Sequence, residues 1–148
     1  MDLSAFDTLE AANAGRWMVL THPVTMKPLG TGDKAPALLL AGIDSDVYQN
    51  AMTDFLRRQA EEAIETGTQS GVASAKKKLG NSAASSENRL DLLVAATLDV
   101  RNIEIEGKPV TAAPDQIRAM YKRFRWLREQ AEVFIANRAN FMPGSSTA

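Results

Sequence analysis

The chain has 148 residues, with 17 Lys or Arg against 18 Asp or Glu, one histidine and no cysteine. That length fits a single domain able to bury a modest core without disulfides or metal. The near-cancelling charge excludes a global field drawing the protein to nucleic acid or an anionic membrane, and the missing cysteine excludes disulfides, thiolate nucleophiles and Cys-ligated zinc.

The opening, MDLSAFDTLEAANAGR, is acidic where a signal peptide needs a basic segment and an apolar run, and no apolar stretch approaches the roughly 18 residues of a membrane span. A soluble, intracellularly made protein is expected. Leu3 to Ala14 is a short amphipathic segment, a brief helix or an arm. Trp17 to Thr21 reads as a strand of large apolar residues, stopped by Pro23, which cannot donate to a ladder. Ala37 to Gly42 reads as a second strand, and the two predict a small antiparallel sheet within residues 16–42. Between them, LGTGDK has the glycines and lysine of a phosphate-binding loop but lacks the full GxxxxGK[ST] spacing, so a plain turn is the better reading. His22, the only histidine, has no second imidazole or nucleophile around it and reads as a turn residue before Pro23.

A first long helix is predicted over 45–66, capped by Asp44 or Ser45, whose short side chains accept a bond from a first-turn N–H. Tyr48, Ala51, Met52, Phe55 and Gln59 trace one of its faces, and Gly67 ends it. The Asp44, Ser45, Asp46 cluster lacks the spaced ligands of a calcium loop and reads as a cap. Glu61, Glu62 and Glu65 read as a solvated face, with nothing apolar to push their proton affinities apart. Residues 68–85 are small and polar, which predicts a mobile loop, and its Lys76, Lys77 and Lys78 lack the interleaved aromatics of a nucleic-acid footprint. Ser85 or Ser86 then caps a helix over 86–101 that is apolar nearly all round and therefore central. In IEIEGKPV, apolar and acidic residues alternate with period two, so Ile103 and Ile105 point inward and Glu104 and Glu106 outward as solvated strand residues.

The longest helical pattern covers 114–140. Ile117, Met120, Tyr121, Phe124, Leu127, Ala131, Phe134 and Ile135 share one stripe, Pro114 suits the first helical position, and Asp115 faces the positive end of the dipole. Residues 142–148 form a flexible tail. Trp126 lies off the stripe among Arg118, Lys122, Arg123, Arg125 and Arg128, so an indole is expected on a basic, exposed face. The alternative is that Trp126 covers the domain's own sheet, as a large aromatic near a neighbouring element does. The predicted fold class is α+β, a single domain, mainly helical, with three main helices, a small N-terminal antiparallel sheet and a mobile loop. No catalytic, cofactor-binding or metal-binding residue is assigned.

Two segments carry a resemblance. Glu106, Gly107, Lys108 and Pro109, followed by Tyr121, Arg123, Phe124, Trp126, Glu129, Gln130, Arg138, Ala139, Asn140 and Phe141, resemble the ending of tail assembly chaperones of long-tailed bacteriophages and prophages. His22, Pro23, Leu40, Gly42, Asp44, Ser45 and Tyr48 are similar to that family's N-terminal half, and the pieces cover about half the chain in the same order. Arg125 departs from the pattern, which has proline between the two aromatics, so a less kinked helix is expected here. The resemblance implies a non-enzymatic assembly factor of the host bacterial cytoplasm. It would bind the long, largely helical tape measure protein and help recruit tail tube subunits, with no cofactor. A homo-oligomer is possible within such a role. Lys122, Arg125, Trp126, Arg128 and Phe141 are the candidate partner-binding residues, the cations pairing with acids of the client while the indole packs. The alternatives are a structural component of the mature virion, such as a head-tail connector or tail completion protein, and a small nucleic-acid binder stacking bases on Tyr121, Phe124 and Trp126.

Overall fold

The computed structural model describes residues 1–66 and 87–143. The expected loop 68–85 with its three lysines, the stop at Gly67, the caps at Ser85 or Ser86 and residues 144–148 of the tail lie outside that range. The architecture is α+β: a three-stranded antiparallel sheet, a two-stranded hairpin, and helices packed on the sheet.

A 3-10 turn at Leu3–Phe6 leads into the brief helix α1 (Leu9–Ala14), which buries Ala11 and Ala12. Strand β1 (Arg16–Val19) pairs antiparallel with β2 (Ala37–Leu40), close to the predicted strands. Strand β2 also pairs with β3 (Thr97–Arg101), so β2 is central and β1 and β3 are the edges. The long connection between β1 and β2 includes LGTGDK, which forms a 3-10 turn at Gly32–Lys34 and returns the chain to β2 with no helix after the lysine.

Side chains alternate across a strand, so Met18 and Leu20 share a face with Leu38 and Leu40. These four are buried in one cluster with Leu90 and Leu93 of α3 (residues 87–96), Ile117, Met120 and Tyr121 of α4 (Pro114–Arg123), and Leu127, Ala131 and Ile135 of α5 (Arg125–Ala136). Tyr121 is wholly buried, and its hydroxyl lies 2.8 Å from Thr97 Oγ1. Burial pushes its phenol well above the ordinary tyrosine value. Helix α2 (Asp46–Thr66) starts at the expected cap: the Tyr48 N–H donates to Ser45 Oγ at 3.2 Å. Its predicted face is only half-buried at Tyr48, Ala51, Met52 and Phe55, and Gln59 is exposed.

Two helix expectations are corrected. The helix expected over 86–101 ends at Ala96, and Thr97–Arg101 is a strand. In that stretch Leu98 and Val100 alternate with Thr97, Asp99 and Arg101, and the open edge of β2 offers a ladder that a last helical turn cannot match. The single helix expected over 114–140 is broken at Phe124, whose φ −110° and ψ 81° are not helical, even though no proline stands there. A straight helix of that span would be about 40 Å long and overhang the sheet. The break turns both apolar stripes, before and after Phe124, onto the same core. Helix α5 stops at Ala136, and a 3-10 turn follows at Arg138–Phe141.

The hairpin β4 (Glu104–Ile105) and β5 (Lys108–Pro109) turns through Glu106 and Gly107, with φ 53° and 79°. Two left-handed central residues are what a two-residue hairpin needs to follow the strand twist, which explains the glycine. Ile103 and Ile105 pack on the core and Glu104 and Glu106 are exposed, as expected from their alternation. Among the described residues, no helix is long and apolar enough to cross a membrane.

Candidate functional site: an apolar groove beside Trp126

The basic residues and the indole line different hollows. Lys122, Arg125 and Arg128 line a charged cleft of about 630 Å³ against α3, together with Glu87, Glu129 and Glu132. Acids of the same chain meet most of this positive charge. Lys122 lies 3.7 Å from Glu87, and Glu132 takes both Arg128 at 3.1 Å and Arg89 at 3.0 Å. Arg118 pairs with Asp91 and with Glu87. Arg125 is exposed and makes no ion pair with a described residue. Exposed pairs of this kind each contribute about 0–1 kcal/mol, so their main effect here is to orient α3 against α4 and α5. The expectation of one surface joining Trp126 to these cations is therefore corrected: Trp126 stands about 100° round α5 from Arg125 and lines other hollows, while Lys122 belongs to α4, before the break at Phe124.

Trp126 is half-buried, packed on the main core and edge-on to Phe124 with ring centroids 6.2 Å apart. It separates two hollows. The smaller, about 270 Å³, is lined by Leu20, Leu29, Ile103, Ile105 and Phe124 among others. The larger, about 490 Å³, is an apolar groove between β1, the turn at residues 21–26 and α5. The reading of Trp126 as a cover for its own fold thus holds in part, since the indole packs on the core, and its remaining surface walls an open groove rather than the basic face expected.

Each wall of the groove has a local origin. Along α5, Trp126, Gln130, Val133 and Phe134 stand at i, i+4, i+7 and i+8, a second stripe beside the buried Leu127, Ala131 and Ile135. Met18 and Val19 come from β1, and Pro23 and Met26 from the turn. His22 shapes that turn. Its Nδ1 accepts bonds from the Val24 and Thr25 N–H groups at 3.1 and 3.2 Å, and its carbonyl accepts from Met26 N–H at 2.9 Å. This fits the reading of His22 as a turn residue. Met26 adopts φ 59°, a left-handed conformation that costs a non-glycine residue on the order of 1 kcal/mol. Met26 and Val133 are left 62% and 70% exposed at the rim.

Gln130 closes one end of the groove. The Thr21 N–H donates to Gln130 Oε1 at 3.2 Å, and Gln130 Nε2 donates to the Thr21 carbonyl at 3.0 Å. Sequence reasoning noticed Gln130 only within the resemblance and overlooked Val19, Met26 and Val133. The available signal was the second helical stripe, which the stronger core stripe obscured.

Phe141, a candidate partner contact, is corrected outright. It is 1% exposed, packed on Ala11 and Ala12, and edge-on to Phe134 at 5.8 Å. Asp44 does not cap α2, the other role considered for it. Its carboxylate accepts bonds from Arg138 at 2.8 and 2.9 Å and from the Thr8 hydroxyl at 2.6 Å. These bonds hold its carboxyl below the usual carboxylate value, the guanidinium having the larger effect. Among the described residues no group of three His, Cys, Asp or Glu is placed to hold a metal ion. The groove offers apolar walls with one acid, Glu129, which suits the packing of apolar side chains away from water. No family model matches this chain, and no curated protein or solved structure matches it either.

Proposed function

We propose that this chain is a non-enzymatic tail assembly chaperone of the long-tailed phage type, which binds the tape measure protein in the groove beside Trp126 and helps recruit tail tube subunits. The observation that supports this reading is the groove itself. Its exposed Met26 and Val133 lie on either side of an indole that belongs to the very segment carrying the family resemblance. Exposed apolar surface around an aromatic anchor is the usual chemistry of a protein-binding site, because water leaves both partners when the pocket fills. The cations Lys122 and Arg128 take a different part from the one first expected of them. Lys122 ties α4 to Glu87 of α3, and Arg128 pairs with Glu132 one turn on along α5, the helix that presents the groove.

The test is co-expression with the tape measure candidate encoded nearest to this chain, comparing wild type, Trp126→Ala and Val133→Asp, with circular dichroism to check folding. Mature particles are assayed for the protein in parallel. Capture by wild type, loss in both folded variants and absence from particles are the expected outcome. No capture, with stable presence in particles, would replace this reading by a structural tail or neck subunit.

A further inference from the structure

Strand β1 is an edge, and the hydrogen bonds on either side of it define which way each residue faces. The Leu20 N–H donates to the Pro36 carbonyl at 3.0 Å, so Leu20 is a bonded position of the β1–β2 ladder. In an antiparallel pair bonded and non-bonded positions alternate, which makes Met18 and Arg16 the other residues directed at β2. Trp17, Val19 and Thr21 then direct their N–H and C=O groups away from the sheet. Thr21 displays this directly: its outward N–H and C=O are the groups held by the Gln130 side-chain amide.

An amide that donates to a backbone carbonyl and accepts from the same residue's N–H does what a neighbouring strand would do. Gln130 therefore fills the first slot of a strand that the sheet lacks. The next slot, at Val19, opens on the groove, Trp17 continues the same outward row, and no described side chain or loop bonds to the backbone groups of either. Val133 and Phe134 of α5 flank this row on the side of the core, so alternate side chains of an added strand would enter the apolar groove.

We infer that the groove is a strand-addition site: a partner contributes an extended segment that pairs with β1 at Val19 and Trp17 and sets an apolar side chain at every second position against Trp126, Val133 and Phe134. This rests on the reading of the groove as the client site and specifies the form in which the client is held. The occupant is a free segment rather than the edge of a second folded sheet, because α5 and the turn carrying Pro23 and Met26 line the groove beside Val19 and would meet a sheet packed there. Main-chain bonds supply affinity in such complexes, and pockets for alternate side chains supply selectivity.

The decisive variant is Val19→Pro. Its missing N–H removes an outward donor and no β1–β2 bond, and proline is tolerated on an edge strand when that side faces outward. Val19→Thr keeps the donor and the β-branch and serves as the control. The probes are the captured tape measure candidate and overlapping 12-residue peptides spanning it. The expected result is protection of the Trp17 and Val19 amides from hydrogen exchange on binding, and affinity about tenfold weaker for V19P than for V19T, which carries the same loss of apolar wall but keeps the donor. Should V19P fail to fold, amide protection in the wild type decides the matter alone. Capture that W126A abolishes, with the Trp17 and Val19 amides unprotected, would overturn strand addition while leaving the client site standing. Absence of any capture would remove both. Protection already present without partner would overturn it too, assigning the slot to the chain's own residues if independent of concentration and to a second copy if it grows with concentration.

Discussion

The buried pair Thr97 and Tyr121 illustrates how much one hydroxyl can do at the junction of a helix and a strand. The Thr97 hydroxyl donates to the Leu93 carbonyl at 2.8 Å, one turn back along α3. Its single proton is then committed, so in the 2.8 Å contact with Tyr121 the phenol must be the donor and Thr97 the acceptor. The two partners are therefore not equivalent on removal. Tyr121→Phe takes away a donor and leaves Thr97 still bonded to Leu93, a loss of about 1 kcal/mol. Thr97→Val leaves a fully buried phenol with its donor unmet and deprives Leu93 of a bond, at about 1–3 kcal/mol. Urea unfolding of both variants tests the ordering, and a larger loss for Y121F than for T97V would show the proton assignment to be reversed.

At the scale of elements, the break at Phe124 makes a quantitative case. In a continuous helix proline at position 125 would remove a bond and clash with the preceding turn, costing about 3 kcal/mol or more. Here Arg125 is the first residue of α5, where an N–H has no intrahelical partner, and Phe124, at φ −110° and ψ 81°, has already left the α region that a residue before proline avoids. Arg125→Pro is thus expected to fold and to gain about 0.4–1 kcal/mol by restricting the unfolded chain. A rise in Tm of a few degrees is the expected reading, and a drop would mean that α4 and α5 join in solution. The proline that the resemblance led one to expect at this position suits the geometry found here even without it. The same junction marks how far the sequence could be read. Periodicity located β1, β2, the α2 cap at Ser45, the inward Ile103 and Ile105, and both apolar stripes of 114–136, because those signals are local. It missed the break at Phe124 and the strand at Thr97–Arg101, because both are set by where the core and the free edge of β2 lie. The groove was half legible: Trp126 stood out by type, but its neighbours Val19, Met26 and Val133 are brought to it by tertiary packing alone, and the nearby arginines pointed the wrong way.

Over the whole molecule, the two ends of the described chain are fastened to one carboxylate. Asp44, just before α2, accepts from Thr8 at the start of α1 and from both Nε and Nη2 of Arg138 after α5. Beneath this polar tie Phe141 packs on Ala11 and Ala12, and Gly42 runs so close that an added Cβ would stand 2.9 Å from Ala12 and 3.0 Å from the Phe141 ring. Because α5 carries one wall of the groove, the tie also holds that wall against β1. The ion pair is partly exposed, with Arg138 63% and Asp44 26% accessible, so solvent and salt weaken it, and its signature is best sought in pH. Folding lowers the Asp44 proton affinity, so the folded state binds fewer protons than the unfolded chain and stability rises with pH. The contribution is complete above the unfolded carboxylate value of about 4 and disappears as pH falls through the lower folded value. Wild type and Asp44→Asn should therefore differ in Tm by a constant amount from pH 7 down to about 5, and the gap should close below about pH 4. Thermal unfolding of the two proteins across that range, repeated in 1 M salt to narrow the gap, measures the effect. A difference that persists at pH 2 would mean that the substitution costs packing rather than charge, and that the ends are held by Phe141 and its apolar neighbours alone.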